Sequence, residues 1–142
     1  RAKWLAGGEF ELTVGGPIHL EFHNTSLSPL PDDPPPQKYC GLPEKMSFDG
    51  KITQFKPPTL LAHTWRDGDE ESEVEYQLSD EGDKVRIVIV HRRLKDDEAV
   101  LGVMGGWHAH FDILEDVLEG RTPRPFWKTH TALETEYEKR LQ

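Results

Sequence analysis

Residues 102–118, GVMGGWHAHFDILEDVL, constrain the fold more than any other stretch of this chain. Val103, Trp107, His110, Phe111, Leu114, Val117 and Leu118 recur at steps of three and four, the spacing that lines one side of an α-helix. His108, Asp112, Glu115 and Glu119 take the other side and are expected to face water. Everything upstream reads as strands and turns, so this is the one long amphipathic helix available to cover a sheet. Its apolar side carries two aromatics, a histidine and, near its start, Met104. It is either an ordinary core or the wall of a pocket.

The upstream chain alternates with a period of two. Phe10, Leu12 and Val14 alternate with Glu9, Glu11 and Thr13; after Gly15-Gly16, Ile18, Leu20 and Phe22 alternate with His19, Glu21 and His23. Two such runs about a glycine pair predict a β-hairpin over 9–22. His19 and His23 lie four apart on an extended strand, about 13 Å end to end, and do not form a metal pair by themselves. Residues 24–46 form a long proline-rich loop that forbids ladder pairing, and loops of this length inside a domain are usually functional or disordered. It is open as a lid, an interface arm or an insertion.

Strands resume over 47–55 and 60–65 around Pro57-Pro58. In the second, Leu61, His63 and Trp65 share one face. An acidic turn at 67–71 leads to a strand with Val74, Tyr76 and Leu78 in alternation. A second acidic turn at 80–83 precedes KVRIVIVHR (84–92), where Val85, Ile87, Ile89 and His91 share a face and Val88 and Val90 lie on the other. A strand apolar on both faces belongs near the centre of a sheet. Gly120 is placed as the C-cap of the helix, and Pro123 and Pro125 separate it from a last segment, 126–141, with Trp127, Leu133, Tyr137 and Leu141 at near-helical spacing. The order of strands, then helix, then helix predicts an α+β domain with an antiparallel sheet.

A chain of 142 residues suits one domain, 1–142, with 121–142 as a helical extension. Its net charge of −9 opposes nucleic-acid binding, which needs clustered cations. The acids gather in 67–83 and 112–119, which read as a solvated turn and a solvated helix face. No window approaches the roughly 18 apolar residues of a membrane span. Cys40 is alone, which leaves no disulfide framework and no cysteine-based zinc site. Arg1 is not an initiator methionine and no signal pattern opens the chain, which points to a trimmed N-terminus or to residues ahead of Arg1. A cytoplasmic location is expected.

Several of these segments together resemble a known family: GEFELTVGGPIHLEF (8–22), GKITQFKPPTLLAHTW (50–65), the acidic hairpin, VRIVIVH, and GGWHAHFDILEDVLEG (105–120). They are similar to the START-like (SRPBCC) superfamily, in the branch named for the activator of the heat-shock-protein-90 ATPase. The closing FWKTHTALETEYEKRL resembles a tail found in many bacterial members. The resemblance implies a helix-grip fold: a curved antiparallel sheet wrapped around a long C-terminal α-helix, here followed by a further C-terminal helix, with a cavity for an apolar ligand between sheet and helix. The family normally opens with a strand and two short helices, of which Arg1–Gly8 matches only the end. Six strands with one open edge are therefore expected.

The resemblance and the face assignments together nominate His63, Trp65, Tyr76, His91, Met104, Trp107, His110 and Phe111 as the lining of a site for a small hydrophobic or aromatic molecule, lipids included. Some START-like relatives are cyclases or hydrolases, and His63, His91 and His110 are the candidate acids or bases. No nucleophile elbow, HExxH, P-loop or dinucleotide fingerprint is present, and no catalytic residue, cofactor or metal is assigned. His108 and His110 lie two apart on a helix and point in opposing directions, so they cannot chelate one ion. The family name suggests a chaperone or partner contact as a further alternative, and the C-terminal helix is the candidate for homodimer contact.

Overall fold

The computed structural model describes residues 1–142. Six strands, β1 (Gly7–Phe10), β2 (Pro17–Phe22), β3 (Met46–Lys56), β4 (Leu60–Asp67), β5 (Glu70–Glu81) and β6 (Lys84–Arg92), precede two helices, α1 (Asp97–Leu118) and α2 (Phe126–Leu141). The strands form one sheet in the order β1-β2-β3-β4-β5-β6, each beside its chain neighbour, so β6, expected near the centre from its two apolar faces, lies at an edge because no later strand follows to pair with it. The tight hairpins follow from local chemistry. Asp67 pairs with Glu70 and Glu81 with Lys84, which leaves two-residue loops opened by Gly68 and Gly82. Both glycines take positive φ, 60° and 79°, as such turns require. No helix is long and apolar enough to cross a membrane.

The first hairpin differs from the expected one. β1 ends at Phe10, and Leu12 and Val14 are 53% and 66% exposed. Residues 11–16 fold on themselves through Thr13 N–H to Glu11 O and Gly16 N–H to Thr13 O. They are then tied to β3, where Gly15 N–H donates to Ile52 O and Ile52 N–H to Gly16 O. A Cβ on Gly16 would lie 2.2 Å from Glu11 O, so the fold of this loop admits only glycine there. Backbone bonds to β3 outweigh the local alternation.

By contact density the chain gathers into two compact units: Arg1–Gly7, Glu21–Met46 and Asp96–Gln142 form one, and Gly8–Leu20 and Ser47–Lys95 the other. In the helical unit, α1 begins five residues before the expected start. Asp96 caps it by accepting from Ala99 N at 2.8 Å, and Asp97 and Glu98 sit in the first turn, where they complement the helix dipole. At its other end Arg121 N–H reaches Asp116 O and Gly120 N–H reaches Val117 O, with Gly120 at φ 69°: a Schellman C-cap at the expected glycine.

The buried stripe of α1 meets the expected one only at His110. Gly105, Ala109, His110, Ile113 and Asp116 are buried, whereas Val103, Trp107, Phe111, Leu114 and Val117 are half-buried and Leu118 is 75% exposed. The reason is α2, which packs along the small residues of α1. A Cβ on Gly105 would lie 3.3 Å from His130 Nε2 and 3.5 Å from Glu134 Cβ, so glycine permits the close approach. Ala109, Ile113 and Phe126 form the centre of this core, with Trp4, Leu27, Trp127 and Leu133 around it. His110 lies beside Phe126 and donates from Nδ1 to Trp4 O at 2.8 Å.

Asp116, expected on a solvated face, is 4% exposed. Its carboxylate accepts from Arg124 Nε (2.7 Å), Nη2 (2.8 Å) and backbone N (3.0 Å), and from Arg121 Nε (3.0 Å). These hydrogen bonds, Arg124's foremost, hold it well below the usual carboxylate range. They also fix the turn from α1 into α2. Asp112, likewise expected in water, is half-buried and bridged to Arg124 Nη1 at 3.2 Å.

The 24–46 segment is fastened along α2. Pro125, before the first turn of α2, has no capping side chain, and Asp32 supplies one from 95 residues away, its carboxylate accepting from Trp127 N and Lys128 N, both at 2.9 Å. Ser28 Oγ donates to Pro123 O at 2.6 Å. Farther along, Tyr39 Oη (2.6 Å) and Lys38 Nζ (2.9 Å) meet the same oxygen of Glu134, and the Tyr39 ring lies against Trp127 and His130. The face of α2 bearing Phe126, His130 and Glu134 is thus buried within the chain.

Two outcomes are expected. Asp32→Ala leaves two N–H groups of α2 uncapped and costs about 1 kcal/mol, a fall of roughly 3 °C in Tm by circular dichroism; an unchanged melt removes the capping role. Complete burial pushes His110 down to about 4, so it stays neutral in the folded chain while the unfolded residue titrates near pH 6.5. Protons then bind preferentially to the unfolded state between those values, so stability is full above about pH 6.5 and is lost as pH falls toward 4. This one residue accounts for roughly 3 kcal/mol of that loss. Urea midpoints across that window are expected to fall less steeply in His110→Gln than in the native chain.

Candidate ligand-binding surface

Four of the nominated residues come together on the sheet, because pairing places them on one face. β4 and β5 pair Leu61 with Tyr76, His63 with Val74 and Trp65 with Ser72; β5 and β6 pair Val74 with His91, Tyr76 with Ile89 and Leu78 with Ile87. Paired residues in a ladder share a face. The His63 ring stacks at 5.5 Å on Tyr76 and 6.2 Å on Trp65, and Trp65 lies 5.7 Å from His91. Phe10 meets His63 edge-on at 5.7 Å, and Phe48 sits 5.2 Å from Trp65. From Leu61 to Trp65, Ser72 to Tyr76 and Ile87 to His91, this face carries no carboxylate, lysine or arginine. The other face carries the charges, with Arg92 Nη1 at 3.0 Å from Glu75 and 3.7 Å from Glu73.

Its polar atoms are paired. His63 Nδ1 lies 2.9 Å from Thr64 O and Nε2 lies 3.1 Å from Tyr76 Oη. His91 Nε2 lies 2.8 Å from Ser72 Oγ, which also donates to Trp65 O at 3.3 Å. Burial lowers His63 below the ordinary imidazole value, and burial with the nearby His63 pushes His91 down to about 4. Both rings are neutral near pH 7.

The other nominated residues lie on α1. Trp107 stacks on Phe111 at 6.0 Å and Phe111 on Trp4 at 5.7 Å; His110 is buried near Phe22 and Phe126, and Met104 is half-buried. His108 is turned elsewhere, to Tyr137 Oη at 2.9 Å. Ser72, Phe10 and Phe48 complete the sheet cluster without having been nominated. Ser72 was readable from its alternation with Val74 and Tyr76. Trp4, by contrast, lies in a segment with no periodicity, and only the folded chain brings it to His110.

His91 beside Ser72 has the outline of a base and a nucleophile, but an imidazole at about 4 is a weak base at neutral pH.

The family model described as Activator of Hsp90 ATPase homolog 1-like protein matches residues 39–119. The solution structure of the protein encoded by gene BPP1335 of Bordetella parapertussis is 39% identical, with a TM-score of 0.76 over 99% of this chain and 73% of that one. The crystal structure of CalU16 from Micromonospora echinospora shares the fold at 20% identity, with a TM-score of 0.66 over 96% of this chain and 69% of that one. No curated protein matches the chain in sequence. The antiparallel sheet followed by two helices is the α+β helix-grip fold of these neighbours, and with the family match it makes this chain a member of the activator of Hsp90 ATPase homolog 1-like family, within the START-like group.

Proposed function

We propose that the chain binds a small hydrophobic or aromatic molecule against the face formed by His63, Trp65, Tyr76 and His91. START-like folds commonly bind ligands. The observation that carries the reading for this chain is the cluster itself, ring neighbours at 5.2–6.2 Å with no charged side chain among them. Aromatic surfaces of this kind gain from stacking and from removal of apolar area from water, and a few fixed polar atoms orient the guest. Neutral imidazoles suit the same task, since they offer flat rings without the desolvation cost of a charge.

The test is a titration with N-phenyl-1-naphthylamine, a neutral apolar fluorophore. Saturable enhancement is expected, with amide shift perturbations confined to 61–65, 72–76 and 87–91. Trp65→Ala is expected to weaken binding about tenfold, the effect of losing one stacked ring. Absent enhancement, or equal affinity in the variant, overturns the reading.

A further inference from the structure

The two hydroxyls on this face, Tyr76 Oη and Ser72 Oγ, both have acceptors in the wall for their protons. The Thr64 carbonyl can only accept, so His63 Nδ1 carries the proton and Nε2 the lone pair. Tyr76 Oη, 3.1 Å from that lone pair, therefore donates to it. At Ser72 the one hydroxyl proton goes to the Trp65 carbonyl at 3.3 Å or to His91 Nε2 at 2.8 Å, and in both arrangements it points into the wall. Both hydroxyls thus direct their protons into the wall.

Ser72 Oγ, half-buried, has one donor and two lone pairs, of which these contacts use the donor and at most one lone pair. A guest group placed there meets an acceptor. An ether, ketone or nitro group would set oxygen against oxygen and lose its water without return, whereas an O–H or N–H gains a bond. The absence of charged side chains on this stretch removes any counter-ion for a carboxylate, phosphate or ammonium group.

Building on the binding reading above, we infer that this face selects neutral aromatic molecules carrying a hydrogen-bond donor, a phenol or an indole-type N–H, and that Ser72 receives that donor. Stacking supplies affinity for any flat guest; Ser72 supplies the choice among them.

The experiment compares 2-naphthol with its methyl ether, 2-methoxynaphthalene, against the full chain, Ser72→Ala and Ser72→Thr by fluorescence titration. The native chain is expected to prefer 2-naphthol about tenfold, the size of one hydrogen bond. Ser72→Ala is expected to bring that ratio close to one while the ether binds as before, and Ser72→Thr to restore it. A native chain that binds both probes equally, or a Ser72→Ala variant that keeps the preference, overturns the inference and leaves aromatic binding standing. Failure of both probes to bind the native chain overturns the binding reading, and this inference with it.

Discussion

The register of β4, β5 and β6 is the constraint on which the candidate surface depends. Side chains alternate across a strand, so a slip of one residue would send His63, Trp65, Tyr76 and His91 to the charged face and bring Glu73, Glu75 and Arg92 in their place. Burying those charges would cost several kcal/mol each. The two-residue turns at Gly68 and Gly82 remove the slack that a longer loop would allow. Turn geometry and solvation thus enforce the same pairing.

Carboxylates organise the helical unit in an analogous way. Asp32 stands in for a missing N-cap, Asp116 gathers two arginines at the end of α1, and Glu134 receives Tyr39 and Lys38. Each acts by accepting hydrogen bonds in a partly or wholly buried place, where an unpaired donor would be costly and a charge-assisted bond is strong. The 24–46 segment is ordered by two of the three. It serves α2 directly, and α2 in turn relies on the small residues of α1 for its approach.

The histidines follow from burial. His63, His91 and His110 all lie below the ordinary imidazole range, with desolvation the leading cause. Each is a flat, neutral group held in direction by a hydrogen bond, His63 and His110 to a backbone carbonyl and His91 to Ser72 Oγ. The same physics makes the sheet cluster apolar in its electrostatics while it remains rich in nitrogen and oxygen.

Periodicity alone was enough to place Leu61, His63 and Trp65 on one face of their strand, to give the 74–78 and 85–91 alternations, and to end α1 at Gly120, because these features arise from residues within a few positions of one another. It misled at Leu12 and Val14, where bonds from Gly15 and Gly16 to Ile52 override the local pattern. It misled again at Asp116 and along α1, where a second helix claims the Gly105–Ala109–Ile113 stripe. Asp32 over α2, Trp4 over His110 and Tyr39 over Glu134 join positions some 95 or more residues apart, and no local spacing encodes them. The sequence by itself determined the alternating faces of β2, β4, β5 and β6 and the C-cap of α1, since those depend on backbone period and turn chemistry. Tertiary structure alone decided which carboxylates turn inward and which imidazoles lose their charge, because both depend on what distant chain excludes water from them.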